Sequence, residues 1–484
     1  MSAATNDRAA GAVVGMAAGD ALGASYEFEP PFPDGFVPEM RAGGSFGWEA
    51  GEWTDDTSMA VPILQAAARG ERLDDHAVLA GIVGAWKDWA RSAKDVGVQT
   101  REVLNGVHQA DEEHARDSSR RVHEVSGRSA GNGSLMRTAP VALQYLHDPD
   151  GLVAAARRIS ELTHWEDDAG DACVVWCLAI RHAILTGEFD LRGGVARLPD
   201  DRRQRWLDRI DEAERKRPRD FARNGWVVQA LQGAWSAIHN TGIPDAVPAQ
   251  HLRLALEAAV RGGNDTDTVA AIAGALLGAK WGVSAVPADW RRKLHGWPGL
   301  KAPDLARLAI LAASGGRDDP QGWPSAARLH SPYKTLVRHP HDDGVWLGGL
   351  GTLDELPGYI DAVVSLCRTG ANQTDREHVE MWLIDQPDAT RNPNLDLVLA
   401  DAADVIDALR KEGKQVFVHC YQGASRTPAA AALYAARHRG VPVEQALAEV
   451  TRVLPHGMPA PFLQDAVRRI AAAAPVASAR VLGR

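Results

Sequence analysis

QVFVHCYQGASRTPAAAALYAARH, residues 415–438, holds the transition that decides the fold of the second half of this chain. QVFVHC is β-branched and aromatic and reads as a buried strand; PAAAALYAARH reads as a helix. Between them lie Cys420, five further residues and Arg426. Five residues can wrap a loop whose backbone N–H groups converge on one phosphate, at a helix N-terminus that adds positive potential. The same field lowers a thiol pKa and makes a thiolate available near neutral pH. Arg426 offers a planar fork for two phosphoryl oxygens. Thr427 can hydrogen-bond the sulfur, Gly423 permits the tight turn, and Ser425 shares the loop that would meet the phosphate. A buried structural cysteine at a strand end is the alternative.

Working outward, DAVVSLC (361–367) and VEMWLI (379–384) are further short β-branched runs. Helical patterns at 394–411, 428–439, 443–453 and 460–473 separate and follow the strands. This grammar predicts an α/β layer domain with a largely parallel sheet. Upstream, helix follows helix: 77–90, 151–164, 171–185, 226–238 and 268–282 carry apolar residues at spacings of three and four. Residues 29–53 and 110–134 break that pattern and read as long loops. The expected organisation is an all-α domain over 1–318, a Pro/Gly-rich linker over 319–340 and an α/β domain over 341–484.

Composition agrees with this and excludes other classes. The 484 residues are 45% hydrophobic and carry a formal charge of −10, which suits globular domains and not a stable nucleic-acid binder. Four cysteines make no disulfide framework, so a reducing cytoplasm is expected. No basic leader and no uninterrupted apolar run of about 18 residues is present, so neither secretion nor membrane insertion is expected.

The helical region has its own chemistry-bearing segments. GDALG (19–23) leads into Glu27, and WTDDT (53–57) follows; GNGSLMR spans 131–137; NDTDT (264–268) opens the helix at 268–282. Asp55 with Asp56, and Asp265 with Asp267, sit before apolar segments, where clustered carboxylates are costly unless a cation compensates. Carboxylates and Thr hydroxyls suit hard Mg²⁺ rather than zinc. Two such clusters could hold two ions that share a bridging water or substrate oxygen. N-capping by Asp and Thr is the alternative for either cluster alone.

Two resemblances follow from these motifs. HCxxGxxR[ST] at 419–427 resembles the cysteine-dependent phosphatases of the dual-specificity branch, over about 340–475. That resemblance implies nucleophilic attack by Cys420, phosphate binding by Arg426 and a cysteinyl-phosphate intermediate. It also implies a general acid just over thirty residues before the cysteine. Asp388, 32 residues before it, is preferred to Asp385, 35 before it; a turn or capping role is the alternative for both. Cys367 is either a reversible disulfide partner of Cys420, as in some relatives, or a small core residue.

The segments over about 8–285 resemble the ADP-ribosylglycohydrolases. The resemblance implies a helical bundle with two Mg²⁺ ions, for which Mn²⁺ can substitute, and no cofactor for the phosphatase domain. It implies Thr54, Asp55, Asp56, Asp265, Asp267 and Thr268 as ligands, with Asp56 and Asp267 also acting on the attacking water. It implies Glu27 as the acidic residue that positions or gates substrate. It further implies Gly131, Asn132, Gly133 and Ser134 as the loop at the ribose and diphosphate, and His164 on the nucleotide side. A helix-terminal His contacting carbonyls is the alternative for His164. THWEDDAGD (163–171) is more acidic than the family's usual turn, and 186–225 looks like an enlarged basic insertion.

The functional expectation is a bifunctional hydrolase. Its first domain would cleave the glycosidic bond of an ADP-ribosylated protein or nucleotide, and its second would act on a phosphorylated protein or small phosphomonoester. An ADP-ribose-binding reader coupled to an active phosphatase is one alternative. A hydrolase of another nucleoside-linked metabolite is the other.

Overall fold

The computed structural model describes residues 1–318, 328–370 and 373–473. The chain forms two compact units, Met1–Val286 with Lys293–Arg317, and Pro287–Arg292 with the described residues from Asp318 onward. The excursion at 287–292 lies inside the stretch expected to be wholly the first domain. It joins the second unit because Ala288 N donates to Asp401 (2.8 Å) and Arg291 donates to the Glu380 carbonyl (2.6 Å).

The first unit is helical apart from a two-residue ladder, His295–Gly296 against Leu300–Lys301. Three helices frame its site, α1 (Ala3–Gly23), α2 (Asp55–Ala68) and α4 (Thr266–Trp281), and α3 (Asp167–Thr186) packs against α1 and α4. Helices α1 and α4 meet backbone to backbone. A Cβ added at Gly11, Gly15 or Gly19 would land on the carbonyl oxygen of Gly278, Gly274 or Ala270, respectively. Small residues four apart on α1 therefore let two main chains touch, and this contact carries Asp20 to the start of α4.

Helix α3 is long and apolar enough to cross a membrane by length and hydropathy, but 78% of its apolar window is buried inside this unit. It is the core helix of a bundle.

One expectation for this unit needs correction. Residues 110–134, expected as loop, contain the helix Glu112–Ser126. Its signals are local: the Asp111 side chain accepts from His114 N at the start, and Gly127 (φ 61°) ends it in the left-handed region. The polar sequence masked them because this helix buries only Glu112, Ala115, Ser118 and Ser119. The basic insertion also folds, as the helices Leu191–Val195 and Asp200–Arg215. It answers the acidic turn: Arg209 and Arg205 pair with Asp168 (both 2.8 Å), and Arg202 pairs with Asp171 (3.1 Å), which also accepts from Trp206 (3.2 Å). The two departures from the family pattern neutralise each other.

The second unit has a five-stranded sheet: β1 (Leu336–His339), β2 (Asp342–Gly349), β3 (Ala362–Ser365), β4 (Glu377–Glu380) and β5 (Val416–Cys420), in the order β1-β2-β5-β3-β4. Only β1 with β2 is antiparallel; the other pairings are parallel. Strand β1 falls inside the stretch expected as linker, of which 319–327 lies outside the described residues. The VEMWLI strand is displaced to Glu377–Glu380. Beyond it the Asn392 side chain takes over both backbone groups of Ile384, at 2.8 and 2.9 Å. Helices α5 (Leu395–Lys411) and α6 (Arg426–His438) pack on this sheet with Pro461–Ala472, and bury Val345, Leu347, Val364, Val416 and Val418.

Candidate active sites

At the junction of α1, α2 and α4 the carboxylates converge. Oxygens of Asp20, Asp56 and Asp267 lie within 4.8 Å of one another, and so do oxygens of Glu27, Asp265 and Asp267. Asp267 belongs to both groups. Asp20 holds the start of α2 through Thr54 N (2.9 Å), Thr57 N (3.0 Å) and the Thr57 hydroxyl (2.6 Å). Thr54 donates its hydroxyl to Asp56 (3.0 Å), and Thr268 N donates to Asp267 (2.9 Å). Asn132 donates to Asp265 (2.8 Å) and to the Asn224 carbonyl (2.9 Å), so its amide orients a carboxylate.

Glu27 reaches this cluster along a strained path. Phe28 and Asn264 both have positive φ (67° and 62°) and pair back to back, Phe28 N to the Asn264 carbonyl and Asn264 N to the Glu29 carbonyl, each at 2.7 Å. Asparagine tolerates that conformation; a bulky aromatic does so only when its surroundings enforce it.

Burial, reinforced by the neighbouring carboxylates, pushes Asp55, Asp56 and Asp267 well above the ordinary carboxylate range. Burial, followed by Asp265, Asp95, Asp55 and Asp20, carries Glu27 to about 9, and burial carries Asp20 to about 6. Glu27 Oε2 and Asp56 Oδ1 are buried with no hydrogen-bond partner. Orphaned acceptors among crowded acids are what a cation would satisfy.

A cavity of about 200 Å³ opens from the cluster, lined by Glu27, Asp55, Asp95, Gln99, Gly131, Asn132, Gly133, His164, Asp265, Asp267 and Thr268, among others. Gly131 and Gly133 are there because the His164 ring lies on them; a Cβ at either would approach ring atoms to 3.1 and 3.0 Å. His164 is therefore not a helix-terminal residue bonded to carbonyls. Ser134 is the exception in its loop. It is buried, accepts from the Cys173 thiol (3.5 Å) and faces the core, so its expected role at the diphosphate is not what its side chain does.

Two acids of this site, Asp20 and Asp95, carry no role assigned from the sequence. The first had a signal, since it follows Gly19 on the glycine face of α1. Asp95 is a lone acid in a polar loop and had none.

In the second unit Cys420 ends β5, 2% exposed, and Arg426 opens α6. Gly423 has φ 78°, and a Cβ there would strike the Gly348 carbonyl oxygen at 2.7 Å. Arg426 donates to the Leu366 and Leu383 carbonyls (3.2 and 2.9 Å), while its buried Nε makes no hydrogen bond and lies 3.7 Å from Asp385. Thr427 donates to the Gly348 carbonyl (3.3 Å). His419 is anchored behind the loop by Ser365 (2.6 Å).

The two candidate acids differ in their partners. Asp388 accepts from Thr390 N and its hydroxyl (2.8 and 2.7 Å), which hold its carboxyl below the ordinary range, in an exposed turn of its own. Asp385 instead accepts from Ser425 (2.8 Å) and stands 3.7 Å from Arg426. Ser425 is thereby tied to Asp385. Cys367 is buried with its thiol pushed up to about 12 by burial, and both it and Cys420 are free thiols.

Comparison with known proteins gives a family for each of the two parts of the chain. ADP-ribosylglycohydrolase matches residues 1–321, and the dual specificity phosphatase catalytic domain matches 358–467. The chain is 32% identical over 292 residues to the ADP-ribosylarginine hydrolase Tri1 of Pseudomonas putida, across 60% of this chain and 74% of that protein. It is 29% identical over 301 residues to the ADP-ribosyl-[dinitrogen reductase] glycohydrolase of Rhodospirillum rubrum, across 60% and 90%. A solved ADP-ribosylglycohydrolase-related protein complex covers 65% of this chain and 99% of its own at 28% identity, with a TM-score of 0.50. This chain belongs to the ADP-ribosylglycohydrolase family and carries a dual-specificity phosphatase domain after it. Both matched families are hydrolases, and the relatives support ADP-ribosyl hydrolase activity for the first unit.

Proposed function

We propose that the chain is a bifunctional hydrolase, with a magnesium-dependent ADP-ribosyl hydrolase in its first unit and a cysteine-dependent phosphomonoesterase in its second. The observation that carries the first half is the pair of orphaned oxygens, Glu27 Oε2 and Asp56 Oδ1, inside two carboxylate groups that share Asp267. All-oxygen donors fit Mg²⁺, or Mn²⁺ in its place. Asp56, Asp267 and Asp265 would hold the ions with Thr54, Thr268 and Asp55, while the hydrogen bonds of Asp20 make it the brace between α1 and α2. When bound, the ions supply polarisation of the ribose and a more acidic water.

The chain's own residues do the rest. The glycines at 131 and 133 leave room for the substrate against His164. Glu27 and Asp95 line the cavity and would present acid to the anomeric carbon. Water attacks the anomeric carbon, the glycosidic bond breaks, and the acceptor leaves with a proton.

In the second unit the Cys420 thiolate would attack phosphorus while Arg426 grips two phosphoryl oxygens. Asp385 would protonate the leaving oxygen. Water would then cleave the cysteinyl-phosphate and release phosphate. Free thiols throughout suit a reducing cytoplasm.

The test is a metal-dependence assay of both reactions on the full chain. Release of ADP-ribose from an ADP-ribosylated arginine peptide should require Mg²⁺ and stop in EDTA. Hydrolysis of p-nitrophenyl phosphate should continue in EDTA. Glycosidic cleavage that persists without metal would overturn the first half, and loss of phosphatase activity in EDTA would overturn the second.

A further inference from the structure

His164 forms one wall of the cleft, and what stands behind it is unusual. Arg137 is fully buried, with its guanidinium 4.1 Å from the centroid of the Trp86 ring. It donates to the Thr163 hydroxyl oxygen (2.6 Å) and the Ile159 carbonyl (3.3 Å). The same Thr163 oxygen lies 2.7 Å from His164 Nδ1. Thr163 is itself fully buried.

A hydroxyl has one proton and two lone pairs. An Arg N–H can only donate, so it takes one lone pair. If His164 Nδ1 carried a proton it would take the other, and the Thr163 proton would have no acceptor, since its oxygen meets no further partner among the described residues. A buried donor without a partner is costly. With Nδ1 bare, the Thr163 proton goes to it, and the hydroxyl and Nδ1 are both satisfied. Burial, and after it the nearby guanidinium, also disfavours a charged imidazole.

We infer that Arg137 and Thr163 act as positioning residues that hold His164 in its neutral Nε2–H tautomer, so that His164 is a hydrogen-bond donor to the substrate and not a proton acceptor. Nε2 is the nitrogen on the glycine side: a Cβ at Gly131 would lie 3.1 Å from it and one at Gly133 3.2 Å. It has no protein partner among the described residues, and it lines the cavity. The group it fits is an electron-rich oxygen, such as a ribose hydroxyl or a diphosphate oxygen. The buried arginine thus reaches the ligand through two side chains without touching it. The donor role rests on the reading of this cleft as the ADP-ribosyl site; the tautomer does not.

The experiment is nitrogen-15 NMR of the full chain labelled at histidine, with ADP-ribose as the probe. In the wild type His164 should show a protonated Nε2 and a bare Nδ1, unchanged from pH 6 to 8. Thr163→Val keeps the shape and deletes the relay; it should mix the tautomers and weaken ADP-ribose binding by up to about tenfold. Thr163→Ser should restore both. A protonated Nδ1 in the wild type, which needs no variant to observe, would overturn the inference, and so would an unchanged tautomer in a folded Thr163→Val. If the tautomer is as described but ADP-ribose neither binds nor shifts His164, the reading of the cleft fails and the donor role with it.

Discussion

The two sites are built in opposite ways. The thiol loop of the second unit is one unbroken segment, 419–427, held between β5 and α6. The acidic cleft of the first gathers residues from 20, 27, 54–56, 131–133, 164 and 265–268, and exists only because α1 and α4 touch along their glycines. A contiguous loop gets its geometry from a strand end and a helix start. A dispersed site gets its geometry from packing, so residues that never meet a ligand become as necessary as those that do.

The largest effects should separate the sites outright. Cys420→Ser should abolish phosphatase activity and leave ADP-ribosyl hydrolysis intact, while Asp267→Ala should do the reverse; parallel assays on the folded full chain read this. If either variant lost both activities, independence of the sites would be wrong. Next in size is the acid. Asp385→Asn should lower phosphatase kcat by about 10²-fold or more with an alkyl phosphate, whose leaving group needs a proton, and Asp388→Asn should leave it within a few-fold. The opposite ranking would restore the sequence-based preference.

Packing should matter in the first unit alone. Gly19→Val places branched carbon on the Ala270 carbonyl. It should destabilise that unit by about 1–3 kcal/mol and spread Asp20 from Asp267. Calorimetry with both assays would register lost hydrolase and retained phosphatase activity; unchanged stability would mean that α1 and α4 are not in backbone contact.

The last prediction concerns pH and the second unit. His339 accepts from His341 N (3.0 Å) and lies against the Ala431 carbonyl (3.1 Å), so its neutral form satisfies both contacts; burial pushes it to about 4 and His419 to about 3. Unfolded, both would take protons below an ordinary value near ~6.5. The folded state refuses them, so stability is full above that value and falls as pH drops towards 4, by up to ~1.4 kcal/mol per pH unit for each imidazole. Urea unfolding of the full chain, read by hydrogen exchange in Val416–Cys420, should show this between pH 7 and 5; a flat profile would contradict it.

Legibility followed the same division. Cys420, Gly423 and Arg426 were readable because the chemistry and the local backbone share one stretch. Asp388 was preferred on spacing, but spacing along a loop does not say which carboxylate turns back, and Asn392 and Thr390 decide that. In the first unit the paired acids at 55–56 and 265–267 announced themselves by charge before apolar segments. Asp20 needed the glycine face of α1 to be read as a helix contact, and Asp95 needed the fold. Ser134 looked like its neighbours until the chain turned it toward Cys173. The acidic turn and basic insertion looked like unrelated departures from the family pattern because pairing across 37 residues, as for Asp168 with Arg205, is invisible in either segment alone.

The most direct test of the central claim is anomalous diffraction from crystals soaked in manganese. The account predicts two peaks in the first unit, one beside Asp56 and one beside Asp265, with Asp267 against both, and none in the second. Strong occupancy elsewhere with that acidic pocket vacant and its aspartates turned away would contradict it.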